Sequence, residues 1–399
     1  METQSIPETP RAAQATIPSD YAGIRNTPVS IKLDLLRYLA AMAVCICHWH
    51  GQFYIPFQQF MHDHTAGAAL DNIFNAGSQA VMVFFVLSGY FIAGNIRRMH
   101  RLHTWSWKSY LTQRLTRLWI VLLPALGLTA AWDGLGINLH LKPQLYQGKL
   151  PILLKHDVIS RFNWHTAWGN LFFLQNIYVP TFGSNDPLWS LSWEFWYYML
   201  FALAIVCLIS LKNQKYFKSG IHAALLLAIM LMTGKYILAL SGAWLMGAAL
   251  AYTTPPRLPA WMRTAIYVIF PLVFFEVYPY LYMHLTKAHN TNLYLSDYMV
   301  GIFTSLLMIC IIQNPGRNFK HPTWIRQGAQ YSYTLYLTHF PIFILLNTIF
   351  CPHQRWRPTP IHWLYGIGVL AAVNLFAYLT AMQTEFKTEQ ARKWIMKFV

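Results

Sequence analysis

The stretch IKLDLLRYLAAMAVCICHWH, residues 31–50, is apolar enough for a bilayer yet holds Arg37 near one end and His48 near the other. Ionisable groups inside a membrane helix are costly and mark functional positions. At 100° per residue, Asp34, Arg37, Ala41, Cys45 and His48 fall within an arc of about 80°, one polar stripe. A rise of 1.5 Å per residue puts His48 roughly 16 Å from Arg37 along the axis. A neutral imidazole at such depth has two chemistries open to it: taking the proton of an attacking hydroxyl, or accepting a group itself. Its structural role would be an interhelical hydrogen bond, with Arg37 as a snorkelling anchor paired with Asp34.

Other stretches supply complementary groups. In SYLTQRLTRLWIVLLPAL, Arg114 and Arg117 sit three apart on one helical face, either as membrane-surface anchors or as a clamp for phosphate, which guanidinium forks hold bidentately. In NDPLWSLSWEFWYYML, Ser190, Trp193, Glu194 and Tyr197 share a face, and a carboxylate among so many aromatics should look into a cavity rather than lipid. Read structurally, Glu194 would be a helix-start residue near an N-terminal dipole. In QYSYTLYLTHFPIFI, Ser332, Tyr336 and His339 align within about 60°, a second intramembrane histidine on an otherwise apolar helix. His62 and His64 form only an HxH without a third placed ligand, so no metal is expected, and Glu276 in PLVFFEVYPY is an intramembrane carboxylate without an assigned role.

The elements that must position these groups are membrane helices. Of the 399 residues, 55% are hydrophobic and 11% charged, far below the roughly 25% charge of a soluble domain. Apolar runs at 31–50, 73–95, 111–131, 189–210, 220–234, 236–253, 263–283, 295–313, 331–350 and 361–382 predict about ten transmembrane helices, an all-α polytopic protein around a polar central cavity. The long segment 132–188 is broken by Pro, Gly and Asn, and WGNLFFLQNIYVP within it is interfacial or re-entrant.

The net charge of +16 follows Lys and Arg clusters that alternate with the runs, which places both termini in the cytoplasm; Lys142, Lys149, Lys155, Arg161, Arg355 and Arg357 are the exceptions. No compact basic domain stands apart, so nucleic acid is not an expected partner. Residues 1–28 read as a disordered cytoplasmic tail without a signal-peptide core, 29–385 as the membrane domain and 386–399 as a basic tail. The cysteines suggest no disulfide framework, and no Walker loop, GxGxxG, GxSxG or HExxH occurs.

Six segments in order, LDLLRYLAAMAVCICH, FFVLSGYFI, RLTR (114–117), WSLSWEFWYY, SGAWLMGAALA and YSYTLYLTHFP, resemble the acyltransferase-3 family of integral-membrane acyltransferases over roughly residues 31–382. Two departures are Leu35-Leu36, where many members have Gly after the Asp, and Trp193 at a usually smaller aliphatic position. The resemblance implies transfer of an acyl group, commonly acetyl, from a cytoplasmic coenzyme A thioester to a hydroxyl of a surface polysaccharide or lipid-linked glycan such as lipopolysaccharide O-antigen or exopolysaccharide, in the bacterial cytoplasmic membrane. Acetyl-CoA is then a co-substrate, with no tightly bound cofactor.

On that reading His48 and Glu194 are catalytic, Arg37, Arg114 and Arg117 hold coenzyme A phosphates, and Asp34, Ser190, Tyr197, Ser332, Tyr336 and His339 line the cavity. Some members carry an extra esterase-like domain, which is not expected after the tenth run here. A tailoring acyltransferase for a small metabolite and a transporter that moves substrate without covalent chemistry remain the competing readings.

Overall fold

The structure is a computed structural model that describes residues 27–150, 154, 156–289, 294–314 and 322–397, with the backbone alone at 285–289. Residues 1–26 of the expected tail lie outside the described residues, as do Arg317 and Lys320. Among the described residues the chain is all-helical without a β-strand, and eight helices are long and apolar enough to cross a membrane. It is a multi-pass membrane protein.

The long helices are α1 (Pro28–Phe53), α2 (Gly77–Arg101), α3 (Trp107–Leu139), α4 (Leu188–Lys212), α5 (Tyr216–Tyr252), α6 (Ala260–Leu272), α7 (Leu295–Gln313), α8 (Thr323–Phe350) and α9 (Pro360–Gln383), with a short α10 (Thr388–Ile395). The difference from ten has two physical sources. Helix α1 is not among the eight, since Lys32, Asp34 and Arg37 crowd one half of it and His48 and His50 the other. Residues 220–234 and 236–253 form one element, interrupted at Gly234, whose φ of 76° and ψ of 176° break the helix in a region glycine enters without a Cβ penalty. Helix α3 also runs eight residues past 131, because Asp133, in the stretch expected to break, is satisfied by the backbone N–H and hydroxyl of Ser184 at 2.7 and 2.6 Å.

Helices α1 and α8 pack together at the centre; α3 and α9 flank α8, and α2 flanks α1 and continues the bundle through α5 to α4 and α7. The α2–α5 contact depends on the small residues of FFVLSGYFI and SGAWLMGAALA. A Cβ on Gly89 would overlap the Trp244 carbonyl, and one on Gly247 the Val86 carbonyl, so the two backbones meet reciprocally. In lipid, where no hydrophobic force drives helices together, such close approach is a main source of association.

Helix α6 passes through a π-turn, Val273–Val277, into the helix Tyr278–His289. Buried Gln79 donates to the Phe274 carbonyl there at 3.2 Å, and Glu276 accepts from Asn72 Nδ2 at 3.3 Å. The WGNLFFLQNIYVP stretch folds as the helix Trp164–Leu171 and a tight loop tied by Asn170 to Thr166, Pro180 and Phe182.

The loop before α4 is what holds α8 in shape. Pro341 has no N–H, so the Leu337 carbonyl four residues earlier loses its helical donor. Asn185 Nδ2 supplies one at 2.9 Å and is itself anchored on Thr129 of α3 at 2.9 Å. Asn185→Ala should cost about 1–3 kcal/mol, the usual penalty for a buried unsatisfied group, and Asn185→Asp, which cannot donate, should behave alike. Thermal unfolding in detergent checks this through a lowered midpoint in both variants; an unchanged midpoint would show that the carbonyl is satisfied another way.

Three of the charge exceptions have local explanations at the bundle end where α1 and α8 finish. Lys142 is buried and its Nζ donates to Asn347 Oδ1 at 2.8 Å and to the Cys351 carbonyl at 2.6 Å, at the C-terminus of α8. Burial lowers its pKa from the usual lysine value. Arg355 donates to the Gly51 carbonyl near the C-terminus of α1 at 3.2 Å, and Arg161 pairs with Asp186 at 3.9 Å. Cations at helix C-termini complement the dipole, so these charges are fixed by structure rather than free in loops.

Candidate active site

A cavity of about 730 Å³ runs between α1, α2, α3, α4 and α8. Its lining follows α2 from Val81 to Leu102, which at 1.5 Å per residue is a length of roughly 30 Å. Arg37, Arg98, Arg114, Arg117 and Arg392 line it against only two carboxylates, Glu194 and Glu389. The arginines come from the N-terminal parts of α1 and α3, the C-terminal turn of α2 and from α10, so they gather at one end. Arg37 reaches Asp34 at 3.9 Å and lies over the Phe91 ring at 5.0 Å. Arg114 Nε is buried with no hydrogen-bond partner among the described residues, whereas Arg117 is exposed.

Glu194 is part of the wall. Its Oε1 accepts from Ser88 Oγ at 2.7 Å and from the Tyr198 hydroxyl, and Trp244 Nε1 donates to the same serine at 3.3 Å. The carboxylate therefore ties α2, α4 and α5 together while facing the cavity. On α4 the lining residues are Ser190, Leu191, Glu194 and Tyr198, centred about 50° around the helix from Ser190. Tyr197 falls outside this arc. It is buried against α5, with its hydroxyl donating to the Ile237 carbonyl at 2.9 Å, and does not line the cavity.

At the other end Ser190 Oγ and Tyr336 OH share a hydrogen bond of 2.7 Å. Ser332 also lines the cavity, but its hydroxyl is committed to the Ala329 carbonyl at 2.9 Å. Behind Tyr336, with ring centroids 6.3 Å apart, stands His339, and His48 stacks on His339 at 5.0 Å with an interplanar angle of 12°. Neither histidine is part of the lining, and no hydrogen bond or ion pair joins either to Glu194. The cavity thus stops one tyrosine ring short of the pair.

The hydrogen bonds of the pair assign its protons. His339 Nδ1 lies 2.7 Å from the Leu335 carbonyl, which only accepts, so this nitrogen carries a proton. In neutral imidazole Nε2 is then the acceptor, and it lies 2.7 Å from His48 Nδ1. His48 is therefore protonated on Nδ1, and its Nε2 keeps a lone pair with no partner among the described residues. His48 is half-buried rather than sealed. Such a nitrogen has the lone pair that a general base or a nucleophile needs, held in one tautomer by its neighbour.

Sequence reasoning missed Ser88 as a partner of Glu194, as well as Tyr198, Arg98 and the contribution of α10. Tyr198 had a signal, since it stands four residues after Glu194 on the same helical face. Arg392 had none, because only the fold back onto α3 carries it to the cavity.

A family described as an acyltransferase domain matches residues 30–382. Acyltransferase MdmB of Streptomyces mycarofaciens is 32% identical over 195 residues, 48% of this chain and 43% of that protein. O-acetyltransferase OatA of Staphylococcus aureus is 25% identical over 344 residues, 81% of this chain and 52% of that protein. A putative O-acetyltransferase of Staphylococcus aureus strain MRSA252 is 25% identical over 413 residues, 92% of this chain and 59% of that protein. The chain spans about half the length of these curated relatives. No solved structure matches it significantly. Fold and family match together define a multi-pass membrane protein with an acyltransferase domain. The chain belongs to the acyltransferase-3 family.

Proposed function

We propose that the protein is an O-acyltransferase that moves an acyl group, acetyl in the simplest case, from a coenzyme A thioester to a hydroxyl of a bacterial surface polysaccharide or lipid-linked glycan. The observation that carries this is an arginine-rich cavity whose far end lies one ring from a histidine pair in which His48 keeps an available Nε2. The names of the relatives in Staphylococcus aureus support the O-acetyl class. On this reading the protein sits in the cytoplasmic membrane with both termini and the arginine end on the cytoplasmic side, as positive loops favour.

In the proposed step the arginines hold the phosphates of the donor, and the thioester reaches the Ser190–Tyr336 end. Rotation of Tyr336 joins that end to the histidine pair. The acceptor oxygen attacks the thioester carbon, the C–O bond forms and the C–S bond breaks. The hydroxyl proton passes to His48 Nε2 and then to the leaving thiolate, so the products are an ester and free thiol. Transfer through an acyl-histidine gives the same stoichiometry. Glu194 orients the acceptor or holds the wall against which the thioester lies.

The test is acceptor-dependent thiol release from acetyl-CoA by the full chain in nanodiscs. Arg114→Ala and Arg117→Ala should each raise the donor KM about 10–100-fold, since a charged hydrogen bond is worth about 1.5–3 kcal/mol, and leave the acceptor KM nearly unchanged. Equal effects on both would make the arginines structural, and failure to bind or turn over any acyl thioester would overturn the donor.

A further inference from the structure

The family match ends at residue 382, yet Thr388, Glu389, Arg392 and Met396 line the cavity at its arginine end. They belong to α10 and its C-terminal edge. This helix packs against α3 and is aimed by the turn that precedes it. In that turn buried Glu385 accepts from the backbone N–H of Thr334 at 3.0 Å and from its hydroxyl at 2.9 Å, which fastens the end of α9 to α8. A segment that reads in sequence as a basic tail is therefore built into the cavity mouth.

The charge of that mouth defines its occupant. Five lining arginines face two carboxylates, and Glu194 already accepts from Ser88 and Tyr198. Arg392 lies within electrostatic reach of Arg114, a like-charge approach that an anion between them would relieve. Arg392 pairs with Glu389, one turn back on the same helix, at 2.5 Å. An exposed pair of this kind is weak, so a phosphate displaces the carboxylate at small cost.

We propose that α10 reads the nucleotide end of the donor, with Arg392 leaving Glu389 to hold the 3′-phosphate of a coenzyme A thioester. This rests on the donor proposed above. The arm that carries the thioester points inward to Ser190 and Tyr336, which leaves the nucleotide, and the phosphate farthest from the sulfur, at the mouth where α10 lies. Arg392 is then a specificity-determining residue outside the family match.

The experiment compares binding of acetyl-CoA and acetyl-3′-dephospho-CoA to the full chain in nanodiscs by titration calorimetry, for wild type, Arg392→Gln and Arg392→Lys. Wild type should favour acetyl-CoA at least about tenfold. Arg392→Gln should lose most of that preference by weakening acetyl-CoA alone, and Arg392→Lys should recover part of it. Unchanged binding of the dephospho thioester to Arg392→Gln serves as the control for folding. The proposal is overturned if wild type binds both thioesters equally, or if Arg392→Gln keeps the preference. Failure of wild type to bind either thioester would instead overturn the donor, and this reading with it.

Discussion

His48→Ala should lower acyl transfer by about 10²–10⁴-fold, the range a positioned general acid–base contributes, while the protein still folds and inserts. The expectation follows from the assignment of Nε2 as the only basic position in the pair, since His339 spends its Nε2 on His48 and its Nδ1 proton on Leu335. Donor binding should survive, because the arginines are about a membrane leaflet away, roughly 16 Å along α1 from Arg37. The measurement is acceptor-dependent thiol release beside calorimetric binding of acetyl-CoA. Intact binding with lost turnover places His48 at the chemical step. Near-normal turnover would leave the histidine a packing residue between α1 and α8 and would require another base.

His339→Leu should reduce turnover by roughly 10–100-fold, the scale at which orienting partners act on the groups they hold. Leucine fills the space but removes the acceptor for the His48 Nδ1 proton. His48 is then free to carry its proton on Nε2, the wrong tautomer for a base, much as an orienting partner's loss disables other catalytic histidines. His339→Gln provides an amide oxygen that accepts from Nδ1, so it should recover part of the loss. A structural role alone predicts the reverse order, because leucine suits an apolar helix interface better than glutamine. The readout is kcat for both variants with the donor KM alongside, and a leucine variant more active than the glutamine variant would sink the relay.

The two predictions differ in where their basis could be read. Arg37 and His48 were legible in α1 because a 3.6-residue period places both on one stripe and bilayer physics makes each expensive. The all-helical fold was legible for the same reason, as was the set of arginines near one end of the membrane domain. The helix count was less so, since polar groups lower the hydropathy of a central helix and a glycine break splits one long element into two apolar runs, so that eight helices rather than about ten meet the length and hydropathy of a span among the described residues. On α4 the period placed Ser190 and Glu194 on one face, but aromatic residues surround that helix, and only packing against α5 decided that Tyr198 enters the cavity and Tyr197 does not.

The amino-acid sequence by itself determined which groups could do chemistry and on which side of each helix they stand, because local periodicity and the cost of burying charge act within a single segment. Only the tertiary structure decided which groups meet. The His48–His339 hydrogen bond joins residues 291 apart, Glu194 meets Ser88 across 106, and Arg392 comes to Arg114 by the fold of α10 onto α3. Contacts at such separations depend on how whole helices cross and on the loop that repairs the Pro341 break, and no period within one helix encodes either.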